Sequence, residues 1–383
     1  MLDEPPDSRM KPEKVGIHRI AELAGVSIGT VDRALHGRSG INEETRSRVL
    51  EVAEQLGYAP NLAARALSMA KSSLRIGICV PREIHFFYDQ LWQGVLDEAQ
   101  RFSHLGIEFL CRPVKELGKG DAAVFSDLLH AEVNGLIVTP GNPVEMTPLI
   151  DRAESLGVRV ICVSTDAPGS LRSTIVFAEP SLNGRMAGEL LGKCLPANSC
   201  AAVITGMMET EDHRKKTEGF SDTFPNFCAG GKVIAVIEGR ENEEQTYKKT
   251  LRLLSSEPCL AGLYVTTVNS LPVCRALKES QHAGRVKLVT TDLFPEMIPF
   301  FNDGTIAASI YQQPYEQGRT AVRVLVDHLA AKGPIPASNT LSPSVVLASA
   351  LGQFREIMEP AAAPRLKIPK DGRWIGRLQS QLR

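Results

Sequence analysis

From Arg75 to about Gly352 the chain repeats one unit: a short, continuously apolar run rich in β-branched residues, then an amphipathic helical stretch. The runs are Arg75–Val80, Ile107–Cys111, Gly135–Pro140, Val158–Thr165, Ala201–Gly206, Lys232–Gly239, Leu260–Thr267, Val286–Asp292 and Ile306–Gln312. Helical stretches such as Tyr88–Phe102, Leu182–Cys194, Asn242–Ser256 and Tyr315–Ala331 lie between them. A strand apolar at every position is buried on both faces, and such strands alternating with helices make parallel sheets covered on both sides. So many strands exceed one open sheet of this size, and the rhythm pauses around Ser164–Glu179 before it restarts. The expected fold class is therefore α/β, with two doubly wound parallel-sheet lobes in tandem. Lobe 1 is placed at about 75–177 and 312–340, and lobe 2 at about 178–311 and 341–352. In such sheets ligands bind outside the carboxyl ends of the strands, here in a cleft between the lobes.

The first 75 residues follow a different pattern. Residues 1–14 carry Pro5, Pro6, Pro12 and mixed charge, and read as a floppy arm. Residues 15–59 read as a small all-α headpiece. Ile20, Leu23 and Ala24 share one face of a first helix, which Gly25 ends. Ser27 is placed to cap a second helix, with Val31, Ala34 and Leu35 on its inner face. Asn42 caps a third, Glu43 and Glu44 suit its positive end, and Val49, Leu50, Ala53 and Leu56 form its apolar stripe. Helix, short glycine-containing turn, helix is the helix-turn-helix pattern. A linker, residues 60–74, holds a run of helix formers too short to be stable alone in water.

The stretch IHRIAELAGVSIGTVDRALHGRSGINEETRSRVLEVAEQLGYAPNLAARAL resembles the headpiece and linker of the LacI family of bacterial transcription regulators. The remainder, to about Gly352, resembles the type I periplasmic sugar-binding fold that this family uses as its effector domain. The resemblance implies a recognition helix in the major groove, with Ser27, Ile28, Gly29, Thr30, Asp32 and Arg33 at or near the DNA. Arg33 can fork onto a guanine, worth about 1–3 kcal/mol of discrimination. Ile28 offers only apolar surface and Gly29 reads nothing. Asp32 stands where a serine is usual, and is unfavourable beside phosphates unless it pairs with His36 or accepts from a cytosine amine. Asn42 and Thr45 are candidate phosphate contacts, with an N-cap and a solvated helix face as the rival account. In the linker, Asn61, Ala64 and Leu67 match the hinge helix that orders on operator DNA, with Leu67 as its minor-groove wedge.

The resemblance also implies a set of effector contacts: Phe86, Phe87, Asn142, Asp166, Arg214, Asn269, Asp292 and Gln312. Amides, carboxylates and one arginine beside aromatics suit a polyhydroxyl ligand, whose hydroxyls both donate and accept. Each of these residues also has a plain structural account, as a cap, loop or core residue.

Little else points to chemistry. The chain has no G-x-x-x-x-G-K-[ST] or G-x-G-x-x-G motif, so an enzyme is not expected. No cofactor or metal site is expected either. The eight cysteines are scattered, without a C-x-x-C pair, and read as buried free thiols in a reducing compartment. No apolar stretch approaches the roughly 20 residues needed to span a bilayer, and the N-terminus has no export signal. A cytoplasmic location and no membrane partner are expected. A formal net charge of -1, taken as an average, argues against nucleic acid. Placement matters more than the average: residues 61–75 hold Arg65, Lys71 and Arg75 with no acid. Residues 353–383 form a basic extension, read from Pro360 as mobile.

The expected function is a transcriptional regulator, a repressor whose affinity for palindromic double-stranded operator DNA is set by a sugar or sugar-like effector. The expected assembly is a homodimer, with a tetramer open. Two alternatives stay open: a solute receptor for sugars, and a regulator that needs a corepressor or activates.

Overall fold

The computed structural model describes residues 17–35, 40–56, 74–82, 85–102, 105–331, 333–354 and 373–375. The chain divides into two compact units, Met1–Ser72 with Asp327–Pro334, and Ser73–Val326 with Ile335–Arg383.

In the first unit, α1 (Ile17–Ala24), α2 (Ile28–Leu35) and α3 (Glu43–Gln55) pack around one small core. Ile20, Ala21, Ala24, Val31, Ala34, Val49 and Ala53 fill it. The inward stripe of α1 runs through positions 20, 21 and 24, so Leu23 falls on the flank, 49% exposed. On α3 the stripe runs through Val49 and Ala53 with Val52 alongside, and Leu50 is 44% exposed. Both leucines were expected inside. A 3.6-residue period turns each about 100° away from the axis of the contact.

The second unit opens with β1 (Arg75–Cys79), β2 (Glu108–Cys111), β3 (Gly135–Val138), β4 (Arg159–Val163) and β5 (Thr174–Ala178). Between them lie α4 (His85–Arg101), α5 (Asp121–His130) and α6 (Pro143–Ser155). After α7 (Pro180–Cys194) come β6 (Cys200–Thr205), α8 (Glu211–Phe227), β7 (Lys232–Glu238), α9 (Glu243–Ser256) and β8 (Leu260–Val265). Then follow α10 (Leu271–Glu279), β9 (Lys287–Thr291), α11 (Ile298–Asn302), β10 (Ile306–Tyr311) and α12 (Pro314–Ala331). Three short strands close the chain: β11 (Asn339–Leu341), β12 (Ser344–Val346) and β13 (Arg373–Ile375). One sheet runs β11-β5-β4-β3-β1-β2-β13, and the other β12-β10-β9-β8-β6-β7. The core pairs are parallel, as continuous apolar strands require. The two sheets are the frames of two lobes. The chain passes between them after β5, after β10, between β11 and β12, and between β12 and β13.

Three features were not foreseen. The pause around Ser164–Glu179 contains β5, which pairs parallel with β4. The short β11 and β12 divide between the two sheets. Within the basic extension, residues 373–375 form an antiparallel edge strand on β2, instead of belonging to a mobile tail.

Glycine sets how closely two helix pairs approach. A Cβ on Gly184 of α7 would lie 2.0 Å from the carbonyl oxygen of Lys216 in α8, and one on Gly192 would lie 2.6 Å from the Phe227 Cβ. In the first lobe, α4 and α12 meet the same way through Gly94 and Gly318. Among the described residues no helix is long and apolar enough to cross a membrane. All eight cysteines are free thiols, and only Cys194 and Cys259 are exposed. Burial pushes the thiols of Cys79, Cys111, Cys162 and Cys274 upward.

Candidate functional site

Two surfaces in separate units draw the candidate residues together. On the headpiece, Ser27 caps α2: the Thr30 N–H donates to its hydroxyl at 3.1 Å, and the two hydroxyls lie 2.9 Å apart. This fixes where the helix begins and leaves Ile28, Gly29 and Arg33 exposed along one side. The nearest atom to a Cβ on Gly29 would be 3.8 Å away, so the surface there is open. Asn42 caps α3, accepting from the Thr45 N–H at 2.8 Å. The side chain of Asp32, and all of Asn61, Ala64 and Leu67, lie outside the described residues.

The second surface is a cleft within the two-lobed unit. The first lobe lines it with Phe87, Tyr88, Leu117, Ser164 and Thr165. The second lobe supplies, among others, Asp212, His213, Lys216, Glu241 and Asp292, and Gln312 follows β10 where the chain crosses back. Two hydrogen bonds join the lobes beside it. The Thr210 hydroxyl donates to the Gly141 carbonyl at 2.9 Å, and the Asp212 N–H donates to the Thr165 hydroxyl at 3.3 Å.

The charged residues come mainly from the start of α8. Asp212 and Lys216 are one turn apart, so they share a face. Lys216 Nζ lies 2.6 Å from Asp212 Oδ2 and donates to the Thr266 carbonyl at 3.3 Å, and the residue is only 2% exposed. His213 Nδ1 accepts the Met207 N–H at 3.0 Å, which leaves its proton on Nε2. Burial lowers the His213 pKa to about 4, so the ring is neutral near pH 7. Glu241 enters from the turn after β7, where Arg240 and Glu241 hold φ values of 50° and 53°. Consecutive left-handed residues other than glycine are costly and tend to gather at sites. Gly206 makes room: a Cβ there would lie 2.2 Å from Glu241 Oε1 and 2.4 Å from His213 Cε1. Burial raises the Glu241 pKa to about 7, although Thr267 and Lys216 oppose it.

Asp292, with φ of 64°, ends β9 and is 1% exposed. Its Oδ1 accepts the Gln312 N–H at 3.0 Å and its Oδ2 the Gln312 side-chain amide at 2.6 Å. Burial raises its pKa to about 6 against the opposing pull of Lys216 and Gln312. Tyr88 is held neutral by burial and by the neighbouring Asp212 and Glu241 charges.

Of the expected effector residues, the cleft wall brings together Phe87, Asp292 and Gln312. The other five have different contacts. Phe86 stacks on Phe294 of the opposite lobe, centroids 3.9 Å apart. Asn142 caps α6 by accepting from the Val144 N–H at 3.1 Å. Asp166 is clamped by the guanidinium of Arg172 and also accepts the Ala167 N–H at 2.8 Å. Arg214 is paired along α8 with the buried Glu211 and the exposed Glu218. Asn269 donates to the Thr246 hydroxyl at 3.1 Å. The wall instead takes neighbours of four of these: Tyr88, Thr165, Lys216 and Thr267. Lys216 was the least foreseeable. Its only sequence signal is the Asp212–Lys216 spacing ahead of Gly219-Phe220. Glu241 lies in the polar run GRENEEQ, which carries no motif.

Residues 16–61 match the family described as bacterial regulatory proteins, lacI family, and residues 76–333 match the periplasmic binding protein domain. The catabolite control protein A of Priestia megaterium is 25% identical over 325 residues, covering 82% of this chain and 92% of that protein. The protein of the same name from Staphylococcus xylosus is 26% identical over 329 residues, covering 82% and 92%. Among solved structures, a glucose-galactose binding protein from Geobacillus stearothermophilus superposes with a TM-score of 0.67 at 22% identity, covering 73% of this chain and 99% of that one. A solute binding protein from Bacillus halodurans with bound myo-inositol superposes with a TM-score of 0.67 at 18% identity, covering 74% and 97%. These two likenesses speak to the fold.

Proposed function

This chain belongs to the lacI family of bacterial regulatory proteins and has a periplasmic binding protein domain as its larger part, and on that premise we propose a repressor released or engaged by a sugar-like effector. It is a DNA-binding regulator. The proposal concerns how it reads DNA and what controls it. One observation carries the reading: a single chain joins a capped helix with an open outer side to a two-lobed cleft lined with hydroxyls and carboxylates. Ser27, Ile28, Gly29, Thr30, Asp32 and Arg33 are proposed at the major groove, Asn42 and Thr45 at phosphates, and Asn61, Ala64 and Leu67 in the hinge. Phe87, Asp292 and Gln312 are proposed as effector contacts, together with Tyr88, Lys216 and Glu241. Two copies bind a palindrome in the cytoplasm, and the chain acts without catalysing a reaction.

Effector binding acts by population shift. A ligand that fits one relative position of the lobes better stabilises that position, and the spacing of the two headpieces on DNA follows. The catabolite control proteins it resembles, and the sugar- and polyol-binding proteins that share its fold, support a carbohydrate-class effector. The test is Arg33→Ala. Footprinting of the variant against its operator should show loss of selective protection, with far-UV circular dichroism unchanged. Equal protection of the same site by the variant overturns the assignment of α2.

A further inference from the structure

The polar atoms of the cleft are unevenly matched. Three carboxyl groups line it, Asp212, Glu241 and Asp292, against one cation, Lys216, and burial, which raises the Glu241 pKa to about 7, leaves that group part protonated near neutral pH. His213 adds no charge near neutral pH, since burial holds its pKa near 4. Asp292 has both oxygens engaged by Gln312. Lys216 is committed to Asp212 Oδ2. Two buried carboxylate oxygens remain without a hydrogen-bond donor: Asp212 Oδ1 and Glu241 Oε1. Asp212 is only 7% exposed. The neutral His213 ring brings its Nε2 only to 3.9 Å from Glu241 Oε1, too far for a hydrogen bond.

A buried carboxylate oxygen needs a donor, and a buried charge needs a counter-charge. A neutral sugar hydroxyl supplies the first without the second. A phosphate or carboxylate ligand makes the imbalance worse. An ammonium supplies three donors and a positive charge from one atom. The rest of the wall suits hydroxyls and a ring: Tyr88, Ser164, Thr165 and Thr267 offer hydroxyls, and Phe87 and Leu117 an apolar face.

We propose that the effector is a polyhydroxylated amine, an amino sugar whose ammonium sits between Asp212 and Glu241. This rests on the effector-controlled reading above and names the ligand class for the same cleft. The second lobe would then recognise the charge and the first would recognise the hydroxylated ring.

The test is isothermal titration of the full chain at pH 7 with D-glucosamine, D-galactosamine and D-mannosamine. Each is paired with its neutral hexose, and glucosamine 6-phosphate serves as the anionic probe. At least one amine should bind about tenfold or more tighter than its neutral partner, as a charged hydrogen bond implies. The phosphate should bind weakest. In Glu241→Gln, which keeps the size of the side chain, the preference should fall towards one, and a thermal melt shows that the variant is folded. Neutral hexoses binding as tightly as the amines, or no binding by any amine, overturns the proposal. Should a neutral hexose bind and alter operator affinity, the regulator reading stands and only the amine assignment falls. If no compound of either class binds, the carbohydrate effector falls with it.

Discussion

The two walls of the cleft are built differently. The first lobe contributes rings, hydroxyls and Leu117, all neutral, on segments that follow β1 and β4 and in the turn at Leu117. The second lobe contributes every charged lining residue, most of them on the first turns of α8 or in the turns after β7 and β9. A neutral wall is cheap to expose when the lobes part. A wall of carboxylates and one lysine must be satisfied from within its own lobe or by a ligand. On the proposed reading the second lobe would therefore carry specificity, with the first lobe closing over it.

This contrast is open to test at several points. Lys216→Met should have the largest effect, because it strands Asp212 as a buried, uncompensated charge. We expect about 3–5 kcal/mol lower stability in urea unfolding, together with loss of effector binding. If the variant is as stable as the parent, the second lobe does not depend on its ion pair. Glu241→Gln should show the next effect, in the pH dependence. The folded-state pKa of Glu241, about 7, lies above its ordinary 4.5. Its stabilising contribution is thus complete below about pH 4.5 and is lost as pH rises through 7. The parent should therefore lose about 1–3 kcal/mol relative to Glu241→Gln between pH 5 and pH 8. His213 works in the opposite direction, losing stability as pH falls from 6.5 towards 4, but it is present in both proteins and cancels in the difference.

On the neutral wall, Thr165→Val removes only the acceptor for the Asp212 N–H and should cost about 1–2 kcal/mol. A cost equal to that of Lys216→Met would erase the contrast between the lobes. Arg214→Ala should have the smallest effect, within about 0.5 kcal/mol, with effector titrations unchanged. Its partner Glu218 is exposed, and the buried Glu211 keeps Lys215 as a second cation. A large loss of effector affinity in this variant would bring the arginine back to the ligand.

The same contrast explains how much could be read in advance. The alternation of apolar strand and helix was visible because parallel strands buried on both faces leave an unbroken apolar run. Short edge strands such as β11 and β13 leave no such run, and β5 was hidden because Thr174–Ala178 follows a polar loop. The Ser27 and Asn42 caps were legible since capping is local, and their bonds fall within three residues. The cleft was harder. Asp292 and Gln312 end strands, where position alone suggests a site. Lys216 and Glu241 owe their place to the packing of α7 on α8 and to a left-handed turn. Neither is visible as a motif, because each depends on backbone brought together from distant parts of the chain. Arg214 was expected from the family resemblance, yet the helical period turns Arg214 and Lys216 to different sides of α8.

The distribution of thiols has a practical consequence. A thiol reagent meets Cys194 and Cys259 in the native protein, and the remaining six must wait for burial to be lost. Three of these, Cys79, Cys111 and Cys162, belong to the first lobe, and Cys200, Cys228 and Cys274 belong to the second. The number and order of cysteines labelled over time in denaturant would therefore report which lobe opens first. The unaltered chain carries its own built-in clock for the two halves.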